Sequence, residues 1–194
     1  MYRKGFKNEF YTRKAKEEGY PARSVYKLKE IDEKYKIFKK GDKVLDLGAA
    51  PGSWLLYISN KIGERGKVIG IDIEEIKIPK KNNIIFLKKD VFSLTGDDFR
   101  EKFDVLVADL SPKTSGVKSV DVAKSLELSK KALEIAKEFS KEGGSFICKV
   151  FEGEGSSEFL KQTSASFEFA KRFKPKAVRK ESKEFYIAAK GFAR

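Results

Sequence analysis

The chain has 194 residues, enough for one domain with a sizeable core. Lys and Arg number 42 against 29 Asp and Glu, a formal net charge of +13. With a single cysteine, Cys148, and no histidine, intrachain disulfides, zinc clusters and His-based catalysis are excluded, which leaves proton transfer to Lys, Asp, Glu or Tyr.

No run of about 18 apolar residues is present, so no membrane span is expected. The opening Met1-Tyr2-Arg3-Lys4-Gly5-Phe6-Lys7 lacks the apolar region of a secretory signal, and a cytoplasmic location is expected. Residues 1–43 carry 14 basic against 7 acidic side chains, and residues 171–194 carry 9 against 2. Residues 44–170 are nearly balanced, at 19 against 20. Basic charge gathered in this way is the footprint of a polyanion, most often nucleic acid. A general Lys- and Glu-rich surface of the hyperthermophilic kind would not concentrate its excess at two ends.

Residues 1–22 read as a basic N-terminal extension, followed by one domain over 23–194. Tyr2, Phe6, Phe10, Tyr11 and Tyr20 are interleaved with basic residues in the extension. They are positioned to stack on unpaired bases, to pack on the domain, or to stay disordered. Ser24–Tyr35 reads as a helix capped by Ser24, with Val25, Leu28, Ile31 and Tyr35 as its apolar stripe. Lys27 falls off that stripe and is expected to point outward or toward a site.

Short apolar runs then alternate with longer amphipathic stretches, the pattern of an α/β domain. Strands are expected at 43–47, 67–71, 84–88, 104–108, 144–150, 167–173 and 184–189, and helices at 54–62, 120–140 and 156–165. Residues 174–183 are too few for a parallel crossover, so the last two strands should pair antiparallel. The expectation is a Rossmann-like, seven-stranded, mostly parallel sheet with helices on both faces. Ligands of such sheets sit beyond the carboxyl ends of the strands where strand order reverses, here after strands one, two and four.

The first of these ends reads Val44-Leu45-Asp46-Leu47-Gly48-Ala49-Ala50-Pro51-Gly52-Ser53-Trp54 and leads into a helix. Small residues allow close backbone approach, and the helix start offers free N–H groups. The pattern is neither the dinucleotide fingerprint nor a P-loop. An acidic residue at the strand end suits a cationic ligand such as S-adenosylmethionine, which has a sulfonium and an ammonium and no phosphate. Asp72 ends the second strand, where a carboxylate accepts both hydroxyls of a ribose. Asp90 follows the third strand, placed to accept from an adenine amino group. Asp109 ends the fourth strand in Asp109-Leu110-Ser111-Pro112. Lys149 interrupts the apolar fifth strand, where a lysine must snorkel or be paired.

Asp-Leu-Gly-Ala-Ala-Pro-Gly-x-Trp, Asp-Leu-Ser-Pro, Lys-Val-Phe-x-Gly-Glu-Gly and Ser-Lys-Glu-x-Tyr together resemble the FtsJ-like ribosomal RNA 2′-O-methyltransferases, from about Ser24 to Ala189. The set is specific in combination, and each element alone is modest. The resemblance implies a catalytic tetrad of Lys27, Asp109, Lys149 and Glu184. It also implies cofactor contacts at Gly52, Trp54, Asp72, Asp90 and Asp109, with S-adenosyl-L-methionine as cofactor and no metal. Ser53 departs from the family pattern, in which a second glycine is common.

The substrate implied is a uridine ribose in large-subunit ribosomal RNA, naked or in the assembled subunit, and a monomer is expected. Without histidine, Lys149 is the candidate base for the ribose hydroxyl, or the charged group that orients it. A transfer RNA or other RNA ribose is an alternative substrate, and a non-catalytic ribosome-assembly factor an alternative role. A dinucleotide-dependent oxidoreductase is disfavoured by the incomplete glycine pattern. Base methylation is disfavoured because no Pro-Pro-Tyr or Pro-Cys element is present to grip a flipped base.

Overall fold

The computed structural model describes residues 3–179 and 181–193, with side chains from residue 9 onward. Helices α1 (Arg3–Glu17) and α2 (Val25–Tyr35) precede β1 (Lys43–Leu47), α3 (Ser53–Ile62), β2 (Lys67–Asp72) and β3 (Ile84–Lys88). Then come β4 (Phe103–Ala108), α4 (Lys118–Phe139), β5 (Ser140–Phe151), α5 (Ser156–Ser164), β6 (Phe167–Phe173) and β7 (Glu184–Phe192).

The seven strands form one sheet in the order β3-β2-β1-β4-β5-β7-β6. β1 to β5 run parallel, and β7 lies antiparallel between β5 and β6. Strand order reverses at β1, so the crevice after β1, β2 and β4 is where the sequence places a ligand.

The central strands β1, β2 and β4 are short and rich in Val, Ile and Leu, as strands covered on both faces must be. One face packs on α2 and α3 through Leu28, Ile31, Leu55 and Ile58. The other packs on α4 and α5 through Leu133, Ala136 and Phe159. Gly70 on β2 permits close packing of α3: a Cβ there would lie 2.8 Å from Leu55 and 2.9 Å from Ala49.

Most expected elements form within a residue or two of their predicted limits. β5 begins earlier, at Ser140, and β7 runs on to Phe192. Ser24 does occupy the N-cap position of α2, but its side chain makes no capping bond and its backbone is already helical. The stripe Val25, Leu28 and Ile31 is buried, with Tyr35 partly so. At the other end of α2, buried Asp32 accepts from the Ile37 and Phe38 N–H groups and from the Tyr57 hydroxyl, which fastens α2 to α3.

The basic extension is largely helical. α1 lies against α2 through buried Ala15 and through Tyr11, whose ring is 5.2 Å from that of Tyr26. Phe10 is exposed and Tyr20 half-buried, while Tyr2 and the Phe6 side chain lie outside the described residues.

Candidate active site

Two ion pairs meet near the carboxyl end of β4. The Lys149 ammonium lies 3.2 Å from Asp109 Oδ1 and donates to the Asp109 carbonyl at 3.0 Å. The Lys27 ammonium lies 2.6 Å from Glu184 Oε1. Lys27 is off the apolar stripe of α2 and turns toward the site. Lys149 is paired, as a lysine inside an apolar strand has to be.

Tyr186 joins the two pairs. Its hydroxyl donates to Asp109 Oδ1 at 2.8 Å, and the Lys27 ammonium sits 5.9 Å from its ring centre. The sheet register explains the grouping. Tyr186 on β7 stands opposite Lys149 on β5, and Glu184 lies two residues earlier on the same face. Burial pushes the Tyr186 hydroxyl well above its ordinary value, and the Asp109 and Glu184 carboxylates reinforce this, so it remains a donor. For Asp109, burial acts to raise the carboxyl. Lys149, Lys27 and the Tyr186 hydroxyl outweigh it and hold the group below the usual value, as a carboxylate.

Beside this cluster a cleft of about 320 Å³ runs along the strand ends, lined by Gly48, Ala50, Asp72, Asp90, Asp109 and Leu110 among others. Three of the expected cofactor residues, Asp72, Asp90 and Asp109, therefore border one cavity. Asp72 Oδ2 accepts from the Ala50 N–H and Oδ1 from the Glu74 N–H, both at 2.9 Å. Each oxygen keeps a second lone pair for a ligand hydroxyl. Asp90 caps the turn Val91–Ser93 through the Phe92 N–H at 3.0 Å and is exposed to the cleft mouth.

Gly52 and Trp54 do not line that cleft. Gly52 precedes α3 at φ 109°, and a Cβ there would come within 2.6 Å of Ile78, so the turn requires glycine. Trp54 is buried. Its indole N–H donates to the Ser24 carbonyl at 3.0 Å, and its ring lies 5.9 Å from that of Tyr186. Ser53 is also buried, with its hydroxyl oxygen accepting the Ala22 N–H at 2.7 Å.

A doubly wound sheet with an acidic ligand cleft at its reversal point and paired lysines beside it is the arrangement implied by the motif resemblance. The family model for FtsJ-like methyltransferases matches residues 20–192. The chain belongs to the FtsJ-like methyltransferase family.

This methyltransferase is 46% identical over 182 residues to ribosomal RNA large subunit methyltransferase E of Desulfatibacillum aliphaticivorans, spanning 92% of this chain and 88% of that protein. The like-named protein of Lawsonia intracellularis is 44% identical over 192 residues, 96% of each chain. Among solved structures, a protein described as a ribosomal RNA methyltransferase of Plasmodium falciparum superposes with a TM-score of 0.77 at 26% identity, covering 89% of this chain and 98% of that one. Aeropyrum pernix fibrillarin, solved with S-adenosyl-L-methionine bound, shares the fold at a TM-score of 0.57 and 19% identity, covering 78% and 67%.

Two residues of this methyltransferase have surroundings that the sequence does not reveal. Tyr186 was within reach, because it lies two positions from Glu184 and strand side chains alternate. The second is Asp46, buried in β1 behind the cleft with neither carboxylate oxygen hydrogen-bonded. It stood in the quoted motif, but motif spacing does not reveal burial.

Proposed function

We propose that this methyltransferase uses S-adenosyl-L-methionine to methylate a ribose 2′-hydroxyl, of a uridine, in large-subunit ribosomal RNA. The observation that carries the reading is the union of the Lys149–Asp109 and Lys27–Glu184 pairs through Tyr186 at the edge of the cleft. A site without histidine that concentrates two lysines and two carboxylates at a strand end is equipped to handle a hydroxyl.

The cleft suits the cofactor by its chemistry. Carboxylates dominate its polar lining, which favours a cationic ligand over a phosphate-bearing one. Asp72 would hold the ribose hydroxyls, Asp90 the adenine amino group and Asp109 the ammonium, while Gly52 and Trp54 shape the turn and its support. Bound there, S-adenosylmethionine supplies a methyl group on a sulfonium for in-line displacement, so positioning contributes much of the rate. Lys149 draws the proton from the attacking hydroxyl, or stays charged and balances the negative charge that develops on it. Asp109 and Glu184 keep the two lysines in place.

RNA would approach across the two basic segments, which the fold brings together. Glu30 on α2 accepts from the Lys176 and Ala177 N–H groups at 2.6 and 2.9 Å, so the β6–β7 connection is clasped to α2. Beside that clasp is a groove of about 640 Å³ where Tyr11, Tyr26 and Phe173 are interleaved with Lys14, Lys34 and Lys176. Aromatic faces among lysines suit unpaired bases and their backbone. No helix among the described residues is long and apolar enough to cross a membrane. We place the protein in the cytoplasm as a monomer working without a metal.

The test is transfer from labelled S-adenosylmethionine to large-subunit RNA and to assembled subunits, followed by nuclease digestion and nucleoside analysis. A 2′-O-methylated uridine is expected. Label on a base, or no transfer to either substrate, overturns the reading.

A further inference from the structure

Asp46 belongs to neither ion pair of the catalytic cluster, and its surroundings are unusual for a carboxyl group. In the sheet it stands opposite Gly70 of β2 and Val107 of β4. Asp72 and Asp109 lie two residues further along those same neighbours. Because strand side chains alternate, all three carboxyl groups share one face, with Asp46 one layer below the other two. It is fully buried, and neither oxygen has a hydrogen-bond partner.

α3 covers this face with Trp54, Leu55 and Ile58, none of them charged. Among the described residues no cation is paired with Asp46. The charges that act on it are the carboxylates of Asp109 and Asp72, and both oppose its ionisation in addition to burial. Lys149 is engaged with Asp109, and Asp72 is held by backbone N–H groups rather than by a cation. A fully buried carboxyl with no hydrogen-bond partner in the protein, beside two like charges, is costly to ionise, and added positive charge lowers that cost.

We propose that Asp46 is a proton-releasing residue of the cofactor cleft, which carries a proton while the cofactor is absent and loses it when the cofactor, net cationic through its sulfonium and ammonium, enters beside Asp109. In that step the O–H bond of the Asp46 carboxyl breaks, its electron pair stays on the oxygen, and the proton passes to water and buffer. The inference rests on the S-adenosylmethionine reading. It makes affinity rise with pH, by up to about tenfold per pH unit while the free carboxyl is protonated.

The experiment is calorimetric titration of the whole protein with S-adenosylmethionine in buffers of different ionisation enthalpy, which counts the protons released. The wild type is expected to release up to about one proton more than Asp46→Asn. Protons released by groups that Asp46 does not influence occur in both proteins and cancel in the difference. Equal counts overturn the inference. An infrared difference spectrum of the wild type needs no variant. Loss of a protonated-carboxyl C=O band on binding supports the inference, and its absence overturns it. No binding by calorimetry or by equilibrium dialysis refutes the cofactor reading itself.

Discussion

The Tyr186 hydroxyl donates to Asp109 Oδ1 at 2.8 Å, while the Lys149 ammonium approaches the same oxygen at 3.2 Å. One oxygen therefore receives a neutral and a charged donor, and the position of Lys149 depends on a residue from a neighbouring strand. Replacing Tyr186 by Phe removes the neutral donor and preserves the ring packed near Trp54. Hydrogen bonds to charged groups are worth about 1.5–3 kcal/mol. If that loss falls on the transition state, kcat for Tyr186→Phe should drop by roughly 10- to 100-fold with little change in cofactor affinity. Steady-state kinetics beside equilibrium binding of S-adenosylmethionine checks this.

Lys149→Arg keeps the charge but replaces a point ammonium by a planar, effectively always-charged guanidinium. The strand position is buried, so the larger group cannot occupy the same place beside Asp109. Turnover should be abolished while cofactor binding persists. Activity retained in Lys149→Arg would remove Lys149 from both of its proposed roles.

Asp46 and Asp109 should bias stability in opposite directions with pH. The folded-state value of Asp109 is depressed, with burial outweighed by Lys149, Lys27 and Tyr186. Its contribution is present above the unfolded value of about 3.9 and is lost as pH falls through the lower folded value. Burial, then Asp109 and Asp72, raises the folded value of Asp46. Its penalty is therefore absent below the unfolded value and grows as pH rises toward the folded one. Relative to wild type, Asp46→Asn should gain stability above about pH 4, by at most about 1.4 kcal/mol per pH unit. Asp109→Asn should lose stability at neutral pH and recover toward wild type in acid. Urea denaturation of the three proteins from acid to neutral pH provides the comparison.

The groove between α2 and the β6–β7 connection makes a separate prediction. If Lys34 and Lys176 meet RNA phosphates, each alanine substitution should reduce the slope of log affinity against log salt by about 0.7, the value for single strands. Cofactor affinity should not change, since neither residue borders the cleft. Filter binding across salt concentrations measures the slope. An unchanged slope in both variants would move the RNA elsewhere.

The sheet and its reversal point were legible because the strands are short apolar runs separated by amphipathic stretches of the right length. The tetrad was legible only as a set of motifs. Spacing could not show that Lys27 would meet Glu184 across 157 positions, because that contact follows from the insertion of β7 beside β5. Trp54 illustrates a different limit. The resemblance implies a cofactor contact at Trp54, and spacing could not show that its N–H also donates to the Ser24 carbonyl, which holds α3 against the start of α2. The helix α1 was obscured by its many charges, and among its described side chains the apolar contact is made by Tyr11 and Ala15. The missing side-chain cap at Ser24 has a local cause: its backbone is already helical, with φ −57° and ψ −23°, whereas a capping residue is extended.

The placement of β7 also bears on when the enzyme can first become active. Of the seven strands it is the last to be synthesised, yet it occupies an interior position, between β5 and β6. A nascent chain that has not reached residue 184 already contains every residue found lining the cleft but lacks both Glu184 and Tyr186. Lys27 then has no carboxylate partner, and Asp109 lacks its hydroxyl donor. The order of translation thus leaves the catalytic cluster incomplete until the end: Lys27, Asp109 and Lys149 are made early, and the two residues that join them come with the last strand.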